Sequence, residues 1–520
     1  MRKLLIEALL LGLLLAAGSP VFAADEGKDA DAAQDKDAKS TKKDEKPVPP
    51  EKTTQSHASV DVGGRTVRYT ATAGNVLIRD DKGDANASVF YVAYTAEGSK
   101  GGERPVTFFY NGGPGSSSVW LHMGSLAPVR VESASATATA PPPYHLVPNN
   151  YSLIDTSDLV FIDAIGTGYS SAVGKAKDKD FWGVDEDLKA FAKAITRYVT
   201  INQRWNAPKF LFGESYGTTR SAGLVNLLQS QGMAFNGVVL LSSILNYGAN
   251  SPGLDQTFIN VLPSYAAIAW YHDRVPNKPA DLQGFLTDAR AFARGEYAAA
   301  LAKGQDLSKA DEEAVARKLA GFTGLSVAYV EEANLRINAG RFRKELLRDQ
   351  RRTLGRYDAR YEGVDLDAAG ESPEYDASDT AIAGAFTAAF NNYVESTLKY
   401  ASDQPYKTTG GSDIIRQWDW KHEQPGARFP QRQPYVAGDL ARAMRENPKL
   451  HVLSANGYFD LATPFFGTEY DLGHMQLDPA LRGNLDFSYY PSGHMVYLNV
   501  DALAKLKADL ATFYGHALSG

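Results

Sequence analysis

Five consecutive residues, Gly213-Glu214-Ser215-Tyr216-Gly217, have the types and spacing to do chemistry. A serine hydroxyl acts as a nucleophile when it stands at the apex of a sharp strand-to-helix turn, and that turn needs small residues two positions to either side. Gly213 and Gly217 meet the condition. The apolar run Phe210-Leu-Phe212 supplies the strand, and Thr218 to Gln229 reads as the helix. The first turn of such a helix has unused N–H groups and the positive end of its dipole, both favourable to negative charge developing beside Ser215. The five-residue pattern alone is weak, because glycine and serine are common in loops; the flanking strand and helix give it meaning.

A nucleophilic serine needs a base, an acid to orient that base, and donors for an oxyanion. With this kind of turn the chain order is Ser, then Asp or Glu, then His. Of the nine histidines, His494 is the best base, in the loop Pro491-Ser-Gly-His-Met495 after the last strand pattern. His474 competes with it, and His451 falls inside a strand. Asp460 follows the strand Leu450–Ser454 and would accept the imidazole Nδ1–H; Asp471 is the fallback. The N–H after the nucleophile, that of Tyr216, would be one oxyanion donor. A second would come from Asn111-Gly-Gly-Pro-Gly-Ser-Ser-Ser118, which follows a buried strand and whose adjacent glycines let backbone approach a substrate.

The elements that must position these residues follow from the apolar runs. Alternating patterns at Ser59–Val62, Thr66–Tyr69 and Ser88–Tyr94 predict antiparallel strands. Continuous apolar runs at Pro105–Tyr110, Asp158–Asp163, Lys209–Phe212 and Gly237–Leu241 predict strands buried on both faces, with a helix over Val184–Val199. Strands of that kind alternating with helices imply an α/β fold with a doubly wound, mostly parallel sheet. From about Leu245 to Arg432 helical patterns dominate, before strands resume at Leu450–Ser454 and Leu485–Tyr490 and a helix closes the chain at Asp501–Phe513. The expected organisation is a leader over 1–23, a disordered charged linker over 24–57, core over 58–244, a helical insertion over 245–432, and core again over 433–520.

The bulk properties narrow the function class. The chain has 520 residues, 44% hydrophobic, with a net charge of −7 and no cysteine. The mild negative charge argues against a nucleic-acid partner. The absence of cysteine removes a thiol nucleophile, a thiolate metal site and an acylated lipoprotein anchor. No His-Glu-x-x-His pattern or phosphate loop is present, so no metal or cofactor is expected. Arg2 and Lys3, the apolar stretch Leu9–Ala17 and the small residues before Ala24 read as a secretory signal. Export to a bacterial periplasm, with no stable membrane association after cleavage, is the expectation.

At these residues the chain resembles the serine carboxypeptidase family. The likeness rests on Asn111–Ser118, Asp163-Ala-Ile-Gly-Thr-Gly-Tyr-Ser170, Gly213–Tyr216, Asp460 and Gly493-His-Met495, and it runs in order over roughly Val60 to Gly515. It implies an α/β-hydrolase fold, with the helical insertion as a cap, and removal of residues from peptide C-termini. It also implies Ser215, Asp460 and His494 as a triad, the N–H groups of Gly113 and Tyr216 as the oxyanion hole, and Asn111 and Glu214 as holders of the substrate carboxylate. Three positions depart from the family: Ser116 replaces its usual cysteine, Ser125 stands where many members have a second glutamate, and Gly217-Thr-Thr-Arg220 replaces a more usual Ala-Gly. The second departure favours the alternative of an esterase or acyltransferase with the same triad, and makes Arg220 a further candidate for binding carboxylate. A non-catalytic peptide-binding protein is the remaining alternative.

Overall fold

The structure is a computed structural model that describes residues 45–98, 102–424 and 426–519. The expected leader over 1–23 and the linker as far as residue 44 lie outside the described residues. The strands of the main sheet are β1 (Thr53–Val62), β2 (Arg65–Arg79), β3 (Ala85–Ala96), β4 (Val106–Tyr110), β5 (Asp158–Ile162), β6 (Lys209–Ser215), β7 (Gly237–Ser243), β8 (His451–Gly457) and β9 (Leu485–Tyr490). Their order is β1-β2-β3-β5-β4-β6-β7-β8-β9, with the short strand Ser171–Ala172 pairing onto β3. From β5 to β9 every pairing is parallel; β1, β2 and β3 extend the sheet antiparallel.

Ordered structure begins before the expected boundary between linker and core at residue 58. Thr53–His57, within the expected disordered linker, form the first half of β1 and pair with Thr70–Gly74. Lys46 already exchanges backbone hydrogen bonds with Gly174. This edge is polar and mostly exposed, so it lacks the apolar alternation that marks a strand. Backbone pairing with a long neighbour is what orders it.

Successive strand residues point to opposite faces, and each face has its own core. Phe108, Leu211, Val238, Leu240 and Val452 pack on one side against α1 (Val184–Ile201) and α2 (Tyr216–Ser230). Phe109, Phe212, Val239, Leu241 and Leu453 pack on the other. Phe109 stacks on its neighbours Phe161 and Phe212 at 4.7 and 4.8 Å. Such aromatic pairs add about 1 kcal/mol each beyond burial, and they pin the register of the three strands that carry the loops around Ser215.

The insertion after β7 contains α3 (Gln256–Tyr271), α4 (Leu282–Phe292), α5 (Lys309–Thr323) and α6 (Ala383–Ser396). The first three share an apolar core of their own. By contrast, α6 buries Phe386, Phe390 and Tyr393 in the sheet core. Residues 406–424 and 426–436 run back along the main body as a strap, bridging to Ser116, Gly168, Gly183 and Asn246. The chain then continues through α7 (Ala437–Glu446) and β8 to α8 (Phe465–Gly473) and, after β9, to α9 (Val500–Leu518).

Candidate active site

The parallel strand order reverses beside β4: β5 lies on one side of it and β6 on the other. A crevice forms at the carboxyl ends of strands at such a reversal, and there Ser215 ends β6 while Asn111 follows β4. Ser215 has φ 60° and ψ −130°, a backbone conformation that costs an L residue energy and persists only when its surroundings enforce it. The two glycines explain how. A Cβ on Gly213 would stand 2.1 Å from the Gly217 carbonyl oxygen, and one on Gly217 would stand 2.7 Å from that of Tyr110.

The oxyanion loop approaches the turn as closely. A Cβ on Gly112 would lie 2.3 Å from the Tyr216 nitrogen, so only glycine lets the loop cross there. Tyr216 opens α2, and its N–H has no acceptor within the helix. Gly113, at φ 107°, donates its N–H to no described residue. The two amides predicted as oxyanion donors therefore flank the turn with no acceptor of their own.

Asp460 and His494, far apart in sequence, meet. His494 Nδ1 donates to Asp460 Oδ2 at 2.7 Å, which fixes the tautomer and leaves Nε2 free to take a proton. Asp460 is fully buried; its Oδ1 accepts from the N–H groups of Ala462 and Thr463 at 2.7 and 3.0 Å. Ser243 is the register partner of Ser215 on β7, and Ser242 beside it donates its hydroxyl to the His494 carbonyl at 2.6 Å. This contact ties the histidine loop to the strand next to the serine. Among the described residues no hydrogen bond joins Ser215 Oγ to Nε2, a contact that often tightens only with substrate bound. Burial opposes a charge on His494, but the Asp460 carboxylate outweighs it through charge and hydrogen bond, and the imidazole pKa is raised.

The competing residues stand elsewhere. His474 is exposed and hydrogen-bonds the Tyr470 carbonyl of its own helix. His451 pairs with Gly237 at the far end of β8. Asp471 accepts from Asn246 at 3.2 Å rather than from an imidazole. Arg220 is not available to a substrate carboxylate: it is fully buried, bonded to Asp187 at 2.7 and 3.1 Å and to the Asn111 carbonyl at 2.8 Å. Its role is positional, since it links α1 and α2 to the residue that begins the oxyanion loop.

Glu214 and Asn111 are both buried, and Asn111 Nδ2 donates to Glu214 Oε1 at 2.8 Å. Glu214 Oε2 is buried with no hydrogen-bond partner among the described residues. Burial raises the carboxyl pKa to about 7, against a lowering influence of His494. Ser125 turns its hydroxyl to the Leu121 carbonyl at 2.5 Å and does not partner the glutamate. Instead the Tyr497 ring lies against Gly124, where an added Cβ would come within 2.5 Å of it. Its hydroxyl sits near enough to Glu214 to respond to that charge, without a well-formed hydrogen bond.

Several supporting residues carry no sequence signal of their own. Thr463 Oγ1 lies 2.7 Å from Asp460 Oδ2 and 3.1 Å from His494 Nδ1; its place three residues after the aspartate is a turn signal that could have drawn attention to it. From the insertion, the Tyr357 carbonyl accepts the His494 N–H at 2.6 Å, and Asp358, paired with Arg360, accepts from Gly493 at 3.2 Å. Trp418 and Trp420 of the strap pack edge-on to Tyr216. Among the described residues no cluster of side chains could hold a metal ion.

This arrangement of strained serine, buried Asp–His pair and free amides can form and break an acyl ester. Residues 65–259 match the serine carboxypeptidase family. The chain is a serine hydrolase of the α/β-hydrolase fold. Among solved structures, a proline iminopeptidase from Mycobacterium smegmatis is 13% identical to the hydrolase at a TM-score of 0.35, over 89% of this chain and 99% of that one. A thermostable carboxyl esterase from Bacillus coagulans is 11% identical at a TM-score of 0.37, over 85% and 97%. Likenesses of this size add nothing about the site. No curated protein matches the hydrolase.

Proposed function

We propose that the hydrolase is a serine carboxypeptidase acting on peptides. Ser215 Oγ attacks the carbonyl carbon of the last peptide bond while His494 Nε2 takes the hydroxyl proton. The tetrahedral oxyanion faces the Gly113 and Tyr216 N–H groups. Its collapse breaks the C–N bond, and His494 returns the proton to the leaving amino acid. Water then attacks the acyl-serine, its proton again passing to His494, and the shortened peptide leaves with Ser215 restored. The observation that carries the reading is the Asn111–Glu214 pair. A carboxyl kept protonated toward pH 7, one residue before the nucleophile and with an oxygen that no described residue satisfies, suits a substrate carboxylate, which an ionised one would repel.

One observation favours a second reading, an esterase or acyltransferase with the same three residues: Ser125 brings no second carboxyl to Glu214. An N-acetylated peptide incubated with the enzyme and followed by mass spectrometry separates the two. The carboxypeptidase reading expects stepwise loss of C-terminal residues, abolished in Ser215→Ala. Ester hydrolysis without any shortening of the peptide would leave the second reading. The leader-like start and the cysteine-free composition support export to a bacterial periplasm, which fractionation of expressing cells would test.

A further inference from the structure

A cavity of about 350 Å³ opens beside the site, between the core and the insertion. Ser243 and the loop Leu461–Pro464 form its floor, so it adjoins both the register partner of Ser215 and the loop that holds Asp460. Its roof comes from α3, with Phe258 and Tyr265, and from Asn338. In the sheet this is the β7 side of Ser215, whereas Asn111 and the oxyanion loop lie on the β4 side. A peptide whose terminal carboxylate meets Asn111 and Glu214 would extend its acyl portion away from them, toward the cavity.

The lining has a distinct charge character. Arg356 is its one arginine or lysine, and Asp471 its one acidic residue. Asp471 is buried, and burial raises its pKa to about 7, so it is neutral in mildly acidic solution. Arg356 is exposed and has no ion pair among the described residues, although most arginines of the insertion have one. Asp376, the acid nearest in the local hydrogen-bond pattern, accepts instead from the backbone of Arg356 and from Ser378, capping its own helix. The positive charge reaches the centre, since Arg356 opposes protonation of His494. Asn246, Asn260 and Asn338 add amides to the same wall.

We propose that this cavity is the subsite for the side chain on the acyl side of the scissile bond, and that it selects an acidic side chain whose carboxylate Arg356 receives. The orientation of the substrate rests on the carboxypeptidase reading; the preference itself does not. Peptidyl diphenyl phosphonates bearing Glu, Gln, Leu or Lys side chains phosphonylate an activated serine whatever its natural substrate, so they test the subsite separately. The wild-type enzyme should lose Ser215 to the Glu probe about tenfold or more faster than to the isosteric Gln probe, the scale of one charge-assisted hydrogen bond. In Arg356→Gln that ratio should fall to about one, and in Arg356→Glu the Lys probe should become the fastest. Equal rates for Glu and Gln in the wild type, or a ratio preserved in Arg356→Gln, would overturn the assignment. A Glu preference among the probes with no amino acid released from free peptides would remove the carboxypeptidase reading alone. Probes that all leave Ser215 untouched would remove both.

Discussion

At the scale of single residues, the proposed mechanism makes Ser215, His494 and Asp460 one unit, with proton transfer and nucleophilic attack coupled. Ser215→Ala and His494→Ala should each lower turnover by several orders of magnitude, about 10³-fold or more, with the double variant scarcely worse. Steady-state kinetics with circular dichroism to check the fold would establish this; near-normal turnover in His494→Ala would displace it as base. Glu214 adds a titration. Its carboxyl, raised to about 7, and the raised His494 each respond to the other's charge, so the pair titrates jointly. The productive form has Glu214 protonated and His494 neutral, which gives a bell-shaped profile centred in mildly acidic to near-neutral solution. Glu214→Gln is neutral like the protonated carboxyl of the productive form, so the acid limb, set by His494, should change little. The alkaline limb against a peptide should become shallower, because the amide cannot ionise. An unchanged alkaline limb would exclude Glu214 as the group behind it. Ser215, Asp460 and His494 were legible as candidates in the sequence because the chemistry sets their types and the strand-to-helix turn at the serine sets their chain order. Arg220 was misread because its partner Asp187 lies 33 residues earlier, on a different helix, and no local spacing announces that pair.

At the scale of elements, the strap holds the site's outer wall. Trp418 and Trp420 rest on Tyr216, and Ile414 fills the space above Gly115. Its anchor is His422, buried between Asp185 of α1 at 2.7 Å and Asp439 of α7 at 3.0 Å. Burial works against the imidazolium, but the two carboxylates outweigh it and raise the pKa from 6.5 to about 9. A raised folded-state pKa stabilises fully below the unfolded value and loses that contribution as pH rises through the folded one. The strap's anchorage should therefore be strong below pH 6.5 and weaken through about 9. His422→Gln should cost about 2 kcal/mol at pH 6 and show a smaller drop in melting temperature between pH 6.5 and 9.5 than the wild type. Equal slopes in the two proteins would assign the alkaline loss to another group. The buried parallel strands were readable from their apolar runs. The strap was not, because its polar residues are held by bridges to Ser116, Gly168 and Gly183 from distant parts of the chain, and the same is true of the exposed start of β1.

At the scale of the whole molecule, a parallel sheet sets Ser215 and the two amides proposed as oxyanion donors at a reversal of strand order, and an insertion after β7 closes the histidine side. The insertion contributes Tyr357 and Asp358 to the loop around His494, so it helps to hold the histidine that would serve as base. Its helices were legible as helices, but these backbone contacts depend on tertiary packing and have no local signature. On the proposed mechanism this framework cuts at a free C-terminus because a protonated carboxyl receives the substrate carboxylate. The most direct measurement is kcat/KM for one N-blocked dipeptide and for its C-terminal amide, taken from pH 5 to 9. The free acid should be cleaved about tenfold or more faster than the amide below pH 7, and the advantage should shrink above it as Glu214 ionises. An amide cleaved as fast as the acid at every pH would contradict it.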